Sequence, residues 1–260
     1  MWLAVLFWSG SMTAGTLYLI PNTLGSSQQG TDLTGIIPDE VLKTSAMLDY
    51  FIAENRKTAR THLKRVAEIH PLKKPLQQID MAELNVRTGK AALPALLEPL
   101  LAGRDAGLIS EAGVPAVADP GAELVRLAHE KGIPVRPLVG PSSLLLSLMA
   151  SGLNGQSFAF NGYLPIDSDQ RARRIRILEE RSHKDHQTQL FIETPYRNAA
   201  LLSALCQQCR PDTRLCIATN VSLPDESIET LTVAAWQERL KKGKQPDFQR
   251  KPTVFLFLAN

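Results

Sequence analysis

Short apolar runs alternate with amphipathic segments through the middle of the chain, over residues 106–153. The apolar runs Ala106–Ser110 and Ile133–Leu138 predict buried strands. Each run is followed by a loop of small residues and then by a helix. The first helix starts at Asp119–Gly121, where an aspartate caps and a proline suits the first turn, and the second covers Leu144–Ser151. Helices that connect consecutive strands predict a parallel sheet with right-handed crossovers.

The same alternation extends to both ends of the chain. In the first half it predicts three further strands, Leu17–Ile20, Asp49–Ala53 and Leu76–Ile79. It also predicts three helices. The first starts at Pro38, the second runs from Glu54 to about Val66, and the third, within Lys90–Ala102, is broken by prolines. In the second half it predicts five strands, one within Ser157–Pro165 and the others at Thr188–Glu193, Arg214–Thr219, Ser227–Thr232 and Thr253–Leu258. It also predicts a charged helix over Asp169–Arg181, a helix that ends at Gln208 and a helix over Val233–Lys242. These elements predict an α/β protein whose first half holds five strands.

A short polar segment, Leu153–Gln156, has the composition of a linker. We therefore predict an N-terminal domain over residues 16–153 and a C-terminal domain over residues 157–260, preceded by an N-terminal extension over residues 1–15. The apolar run Met1–Ser11 lacks the basic start of a signal peptide and is too short to span a membrane. Met12 precedes the first strand, and we expect it to be the natural start.

Composition narrows the functional classes. The chain has 260 residues, and 44% of them are hydrophobic, which supports a substantial core. A net charge of +3 is too small to indicate nucleic-acid binding by itself. The 3 cysteines favour a reducing compartment, and Cys206, Cys209 and Cys216 lack a fourth ligand for zinc, so we expect helix-surface and strand-core thiols and no metal.

Two loops of small residues carry the strongest functional signal. They follow the strands that start at Ala106 and Ile133, and they lie at the edge where parallel sheets bind ligands. No dinucleotide fingerprint follows the first strand, and no phosphate-binding lysine loop is present, which argues against classical NAD or ATP binding. The loops therefore predict a ligand site at the sheet edge, although tight strand-to-helix turns are the plainer explanation.

Basic residues form three groups in the sequence. The first comprises Arg56, Lys57 and Arg60, the second comprises Arg171, Arg173, Arg174 and Arg176 on one predicted helix, and the third lies between Lys241 and Lys251. Glutamates next to the second group are consistent with an ordinary solvated helix face. Phosphate contact is the functional alternative, and the repetition of such groups favours it somewhat.

Five segments occur in the order known from one family. They read "LYLIPNTLG" at 17–25, "GLISEAGVPAVADPG" at 107–121, "VRPLVGPSSLLLSLMASGL" at 135–153, "FAFNGYLP" at 158–165 and "LFIETPYR" at 190–197. With them the sequence resembles the tetrapyrrole methylase family of S-adenosylmethionine-dependent methyltransferases over nearly all of residues 17–258. Within that family it is most similar to the branch that methylates small-subunit ribosomal RNA at cytidine 2′-hydroxyls.

The resemblance implies a parallel-sheet N-terminal domain, a mixed-sheet C-terminal domain, a homodimer, and S-adenosylmethionine as the cofactor. It also implies a set of cofactor-binding residues. From the first domain these are Pro21, Asn22, Ala112, Gly113, Val114, Val117, Ala118, Ser142 and Ser143; from the second they are Thr194, Asn220, Pro252 and Thr253.

The chain departs from the ribosomal branch on the substrate side. Where that branch has Glu-Asp-Thr-Arg, this sequence has Glu54-Asn55-Arg56-Lys57, and a histidine-rich segment is replaced by residues 81–85. We predict a cytoplasmic methyltransferase in which Glu54 and Glu111 are the candidate catalytic carboxylates. The candidate contacts to ribosomal RNA or the small ribosomal subunit are Arg56, Arg171, Arg173 and Arg174.

Two alternatives remain open at this point. The first is methylation of a small molecule of the tetrapyrrole type with the same cofactor. The second is a non-catalytic RNA-binding protein that retains the fold. The sequence does not define the acceptor atom.

Overall fold

A computed structural model of the chain describes residues 13–25 and 32–260. The N-terminal run Met1–Ser11 and the start proposed at Met12 lie outside the described residues. The chain forms two compact units, one ending at Pro141 and the other running from Ser142 to Asn260. Each unit contains one five-stranded sheet.

The described part of the first unit has five strands: β1 (Leu17–Ile20), β2 (Tyr50–Ala53), β3 (Asp80–Glu83), β4 (Ala106–Ile109) and β5 (Val135–Pro137). Its helices are α1 (Asp39–Met47), α2 (Arg56–Ala67), α3 (Leu93–Leu101) and α4 (Gly121–Glu130). The strand order is β3-β2-β4-β1-β5, and every pairing is parallel, as predicted.

Side chains alternate between the two faces of this sheet. In β2, Tyr50 and Ile52 join a core cluster with α3 and α4, whereas Phe51 and Ala53 join a second cluster with Leu63 of α2. Helices therefore cover both faces, and the carboxyl ends of the strands remain as the edge at which loops can form a site.

The third predicted strand was placed wrongly. Residues Leu76–Gln78 form a 3-10 turn after Pro75, and the strand lies at Asp80–Glu83. That strand pairs only with β2 at the edge of the sheet, and its outer residues Asp80 and Glu83 are exposed. An edge strand with polar ends has no apolar run to reveal it, because its conformation comes from the pairing with β2.

The second unit contains strands β6 (Phe158–Tyr163), β7 (Thr188–Glu193), β8 (Arg214–Thr219), β9 (Ser227–Thr232) and β10 (Thr253–Leu258), and helices α5 (Ser143–Ser151), α6 (Ser168–Asp185), α7 (Asn198–Gln208) and α8 (Val233–Lys241). The sheet order is β6-β7-β10-β8-β9. The pair β6–β7 is parallel, and the other pairs are antiparallel, so the sheet is mixed as expected.

Helix α5 belongs to the second unit, so the units divide at residue 141 and not at the predicted boundary of 153. The main core of the unit lies between α6, α7, α8 and one face of the sheet, around Phe191, Phe255 and Trp236. Helix α5 lies against the opposite face, where Thr230 of β9 donates a hydrogen bond to the Ser151 carbonyl at 2.8 Å. Gly152, in a left-handed conformation, ends the helix.

The three cysteines are free and buried. Cys206 is buried in the α7 core, so the expectation of a helix-surface thiol was wrong for it. Burial raises the pKa of the Cys206 thiol to about 11, and it also raises the pKa of Cys209 and Cys216. These thiols therefore act as small apolar core groups at neutral pH.

The loop after β5 lies directly against the loop after β1. A Cβ added at Gly140 would overlap the ring of Pro21, which cannot move aside because the ring is rigid. The absence of a side chain at Gly140 is thus the condition for these two loops to meet at the sheet edge.

We predict that Gly140→Ala lowers the free energy of unfolding by about 1–3 kcal/mol, the usual range for overpacking. Gly155→Ala is the matched control, because a Cβ at Gly155 has no atom within 4 Å. The control is expected to change stability by about 0.5 kcal/mol or less. Urea unfolding of both variants measures the difference, and equal midpoints would contradict the contact.

Candidate functional site

The loops at the carboxyl ends of β1 and β4 meet at one buried residue, Asn22. Its main-chain N–H donates to the Gly113 carbonyl at 2.8 Å, which joins the loop after β1 to the loop after β4. Its side-chain amide donates to the carbonyls of Ser110 at 3.4 Å and Glu111 at 3.1 Å. Asn22 is only 5% exposed, so it holds the two loops together from inside.

A buried histidine completes this network. The Asn22 side-chain oxygen lies 3.1 Å from Nδ1 of His62 on α2, and it also accepts from the Thr23 N–H at 2.9 Å. Because Asn22 uses its amide nitrogen on two carbonyls, its oxygen is the acceptor and His62 must carry the proton on Nδ1. Nε2 of His62 is buried without a hydrogen-bond partner among the described residues.

The role of His62 was missed at the level of sequence. His62 lies on the same face of α2 as the buried residues Ala59, Leu63 and Val66. A polar residue on an otherwise apolar helix face was the only sequence feature that could have indicated its role. Burial lowers the pKa of His62 to about 4, and the nearby charge of Arg65 adds to the effect. The imidazole is therefore neutral at physiological pH.

Three carboxylates surround the ends of β2 and β4. One oxygen of Glu54 accepts the main-chain N–H of Glu111 at 3.0 Å, and the Glu111 carboxylate accepts from Asn55 at 3.0 Å. Asp119 accepts the N–H of Gly121, the first residue of α4, at 2.7 Å, and the N–H of Ala116 at 2.9 Å. The Asp119 side chain therefore caps α4, although Pro120 is the residue that directly precedes the helix. Glu54 and Asp119 line the same small cavity.

Two of these carboxylates have raised pKa values. Burial raises the pKa of Glu54, the Glu111 N–H opposes the shift, and the charges of Asp119 and Glu111 add to it. Burial also raises the pKa of Asp119, although hydrogen bonds from Gly121 and Ala116 oppose it. The edge therefore concentrates negative charge and contains a carboxylate that is a stronger base than usual.

The long loop after β4 presents its backbone at this edge. Ala116 and Ala118 both have positive φ angles, of 66° and 62°, which only small or locally stabilised residues adopt readily. Ala112, Val117 and Ala118 are exposed, whereas Gly113 is buried. Gly113 has a φ of 68°, and a Cβ there would lie 3.1 Å from Leu24 and 3.5 Å from the Pro141 carbonyl. The positive φ and the close approach of Leu24 both favour glycine at this position.

The second unit brings its own four candidate residues together. Thr194 follows β7 and Asn220 follows β8. Pro252 precedes Thr253, the first residue of β10, which runs antiparallel to both strands. Thr253 is therefore in register with Glu193 on one side and Thr219 on the other. The Asn220 N–H donates to the Pro252 carbonyl at 2.9 Å.

Asn220 is strained and incompletely bonded. It has a φ of 50° and is 8% exposed. Its amide nitrogen donates to Asp225 at 2.9 Å, and its Oδ1 is buried without a partner among the described residues. A buried acceptor of this kind is costly unless a ligand or a water satisfies it.

The candidate RNA-binding arginines differ in how far they are engaged. Arg171 donates to the Ile166 carbonyl, Arg174 donates to Asn161 at 3.3 Å, and Arg56 lies 3.8 Å from Glu83. Arg176 bonds Gln208. Arg173 is exposed and has no side-chain partner among the described residues. Ser142 and Ser143 begin α5 in the second unit, and Ser142 makes no side-chain cap.

Comparisons with known proteins agree with this architecture. The family model described as "Tetrapyrrole (Corrin/Porphyrin) Methylases" matches residues 39–236. A protein of Streptococcus pyogenes serotype M3 named "Ribosomal RNA small subunit methyltransferase I" is 33% identical over 185 residues, which are 71% of this chain and 58% of the relative. A Mesorhizobium japonicum protein of the same name is 30% identical over 230 residues, covering 88% of this chain and 71% of the relative. The chain thus spans about three fifths of the length of the first of these relatives.

Solved structures show the same fold. The crystal structure of the methyltransferase CobJ matches with a TM-score of 0.57 and 18% identity, covering 95% of this chain and 94% of the other. The Thermus thermophilus uroporphyrin-III C-methyltransferase, solved with S-adenosyl homocysteine, matches with a TM-score of 0.54 and 17% identity over 94% of this chain and 97% of the other. Within the described residues, no helix is long and apolar enough to cross a membrane, and no cluster of three or more acidic, histidine or cysteine side chains suits a metal ion.

The buried histidine makes stability depend on pH. Unfolded His62 takes up a proton with the ordinary imidazole pKa of 6.5, whereas the folded imidazole resists protonation down to a pKa of about 4. The unfolded state therefore binds more protons between these values, and the free energy of unfolding falls as pH falls through this window. We predict a loss of about 2 kcal/mol between pH 7.5 and pH 5 from this residue.

His62→Asn is the matched variant, because its amide nitrogen can replace Nδ1 as the donor to Asn22 without titrating. The raised pKa values of Glu54 and Asp119 act with the opposite sign and are common to both proteins. Urea unfolding at the two pH values should show a smaller loss for the variant. An equal loss in both proteins would rule out His62 as the cause.

Proposed function

We propose that this chain, which belongs to the tetrapyrrole (corrin/porphyrin) methylase family, is an S-adenosylmethionine-dependent methyltransferase that acts on small-subunit ribosomal RNA. The proposed product is a ribose 2′-O-methyl group. The observation that carries the proposal is the similarity to relatives named for small-subunit ribosomal RNA methylation, at 30% identity over 88% of the chain in one case. The solved structures support the fold alone.

The first unit has features that suit the methionine and ribose parts of the cofactor. Left-handed alanines turn the backbone of the loop after β4 outward, and the small side chains leave its polar groups accessible. Residues proposed to hold the cofactor here are Pro21, Asn22, Ala112, Gly113, Val114, Val117 and Ala118. Asn22 acts by fixing the loops, since its own amide is already fully used.

The second unit has features that suit the adenosine part. The unpartnered Oδ1 of Asn220 is an acceptor for an exocyclic amine such as that of adenine. We propose Thr194, Pro252 and Thr253 as its neighbours at the same sheet edge, and Ser142 and Ser143 as further contacts at the start of α5. The cofactor when bound supplies a methyl group on a positively charged sulfur.

The carboxylates of the first unit supply the remaining chemistry. Glu54, Glu111 and Asp119 make the edge negative, which favours a cationic ligand. A ribose hydroxyl must lose its proton during transfer, and a carboxylate with a raised pKa is better suited to accept it. We propose Glu54, whose pKa burial raises, for this role, and we propose Glu111 as a second candidate because its main-chain N–H bonds the Glu54 carboxylate. Alignment of acceptor and methyl group accounts for most of the remaining acceleration in such displacements.

The proposed substrate requires cationic contacts to phosphate. Arg173 has no side-chain partner among the described residues, whereas Arg56, Arg171 and Arg174 already have protein partners. Those three remain proposed contacts, each of which must exchange a protein acceptor for a phosphate. Action on RNA, with free buried thiols, fits the cytoplasm as the proposed location.

Incubation with methyl-labelled S-adenosylmethionine tests the proposal. The protein is mixed either with small ribosomal subunits or with the low-mass fraction of a cell extract. We expect label in ribosomal RNA, retained in dinucleotides after alkaline hydrolysis because a 2′-O-methyl group blocks cleavage. Label confined to the low-mass fraction would instead establish a small-molecule methylase, and calorimetric cofactor binding without any transfer would establish a binding protein.

The same assay addresses the carboxylates. Glu54→Gln and Glu111→Gln are expected to slow transfer by about 10²–10⁴-fold, the usual contribution of a general base. Cofactor affinity should change much less. Glu98→Gln, an exposed carboxylate on α3, is the control and should retain the wild-type rate. Full activity in both site variants would remove Glu54 and Glu111 from the mechanism.

We also propose a homodimer, as the family resemblance implies and as two-fold symmetric oligomers are common. Sedimentation velocity at micromolar concentration should give twice the chain mass. A single species with the mass of one chain would overturn this part of the proposal.

A further inference from the structure

Helix α2 has a row of cations along its outer face. Lys57, Arg60 and Lys64 are spaced at i, i+3 and i+7, and all three are exposed. Residues at these spacings lie on one side of a helix, and the row extends over about 10 Å at 1.5 Å per residue. The opposite side of α2 buries Ala59 and Leu63 in the core. We call Lys57, Arg60 and Lys64 the cationic stripe.

The cationic stripe is not neutralised within the protein. Among the described residues, no side-chain hydrogen bond or ion pair engages Lys57, Arg60 or Lys64, and α2 itself contains no carboxylate. Some exposed cations on other helices are paired; Lys43 lies 2.9 Å from Asp39 and 2.8 Å from Glu40. Arg126 and Arg181 likewise have carboxylates on their own helices.

This arrangement is unfavourable for the folded chain alone. Like charges three and four residues apart on a helix repel, and here they occur from Lys57 to Arg60 and from Arg60 to Lys64. Lys57 also lies in the first turn, where the positive end of the helix dipole disfavours a cation. Lys64 lies in the last turn, where the dipole favours a cation, so the unfavourable contributions are the repulsion along the row and the position of Lys57. These contributions indicate a ligand that supplies the missing negative charge.

The stripe begins next to the candidate site. Asn55 caps α2 by accepting the Lys57 N–H at 2.9 Å, and the same side chain donates to the Glu111 carboxylate at 3.0 Å. The first cation of the stripe is therefore two residues from a group that touches a proposed catalytic carboxylate. All of these residues belong to the first unit.

We propose that the cationic stripe binds successive backbone phosphates of the RNA substrate and guides the strand to the carboxylates at the ends of β2 and β4. This inference rests on the proposed function and defines a contact surface for its substrate. The sequence groups Lys57 and Arg60 with Arg56, but Arg56 already faces Glu83. On α2 the contacts therefore fall on Lys57, Arg60 and Lys64, which have no side-chain partner among the described residues. A polyanion fits the stripe better than a compact ligand, because the charges form a line and not a pocket.

The test compares two triple variants that lose the same charge. One is Lys57→Gln, Arg60→Gln and Lys64→Gln; the matched control is Lys43→Gln, Arg126→Gln and Arg181→Gln, which removes three paired cations. Binding of a fluorescent single-stranded RNA is measured by anisotropy across a range of salt concentrations. Each phosphate contact to single-stranded RNA contributes about 0.7 to the slope of log K against log salt.

We expect the magnitude of that slope to be smaller by about 2 in the stripe variant. At about 0.1 M salt the stripe variant should bind RNA on the order of a hundredfold more weakly than wild type, beyond any difference between the two proteins at high salt. The control variant should keep the wild-type slope. We also expect the stripe variant to melt at a higher temperature than wild type, because repulsion along α2 is relieved. The control should not gain stability, since it loses ion pairs.

The outcomes separate the inference from the proposed function. If wild type labels ribosomal RNA but the stripe variant retains wild-type affinity and slope, the stripe is not an RNA surface and the proposed function stands. If both triple variants lose slope equally, only overall charge matters and the inference fails. If wild type neither labels ribosomal RNA nor binds the RNA probe, the proposed function and the inference both fail.

Discussion

The first sheet edge depends on one fully satisfied buried amide. Asn22 uses both protons of its side-chain nitrogen on carbonyls of the loop after β4 and uses its oxygen on His62 and on the main chain. Removing any one partner would leave a buried polar group unpaired, which costs more than the bond itself contributes. The network therefore fixes one side of the loop after β4, and the rest of that loop is free to present alanine backbone at the edge.

The pattern of apolar residues predicted most of the fold because most strands are buried. Strands β1, β7, β8 and β10 contain apolar runs and have the predicted bounds. Strand β9 also has them, although it is mostly polar and only half-buried. Strand β3 was misplaced because it is polar at both ends and exists through pairing with β2. The sequence also did not predict that α5 belongs to the second unit, because that depends on the packing of α5 against a face of the second sheet and not on the local sequence.

The site was predictable in outline and not in its contacts. The loops of small residues after two parallel strands lie at the carboxyl edge of the first sheet, as predicted, and that edge is the candidate site. The role of His62 was hidden, because helical periodicity records which positions are buried and not which polar group a buried side chain reaches. The local reason for glycine at 113 was also hidden, because its positive φ and the closeness of Leu24 depend on how the loops meet.

Helix α2 departs from an ordinary amphipathic helix on both of its faces. Its inner face carries a histidine where an aliphatic residue would pack more favourably, and its outer face carries uncompensated cations. Neither departure benefits the helix itself, since burial of an imidazole and repulsion between like charges both cost stability. Both features lie next to the carboxyl edge of the first sheet. His62 bonds Asn22, which holds the loops together, and Lys57 follows Asn55, the capping residue that contacts Glu111. A buried imidazole and a row of like charges are both unfavourable locally, and both lie beside this edge. This is the physical reason for proposing that the chemistry of the first unit takes place there.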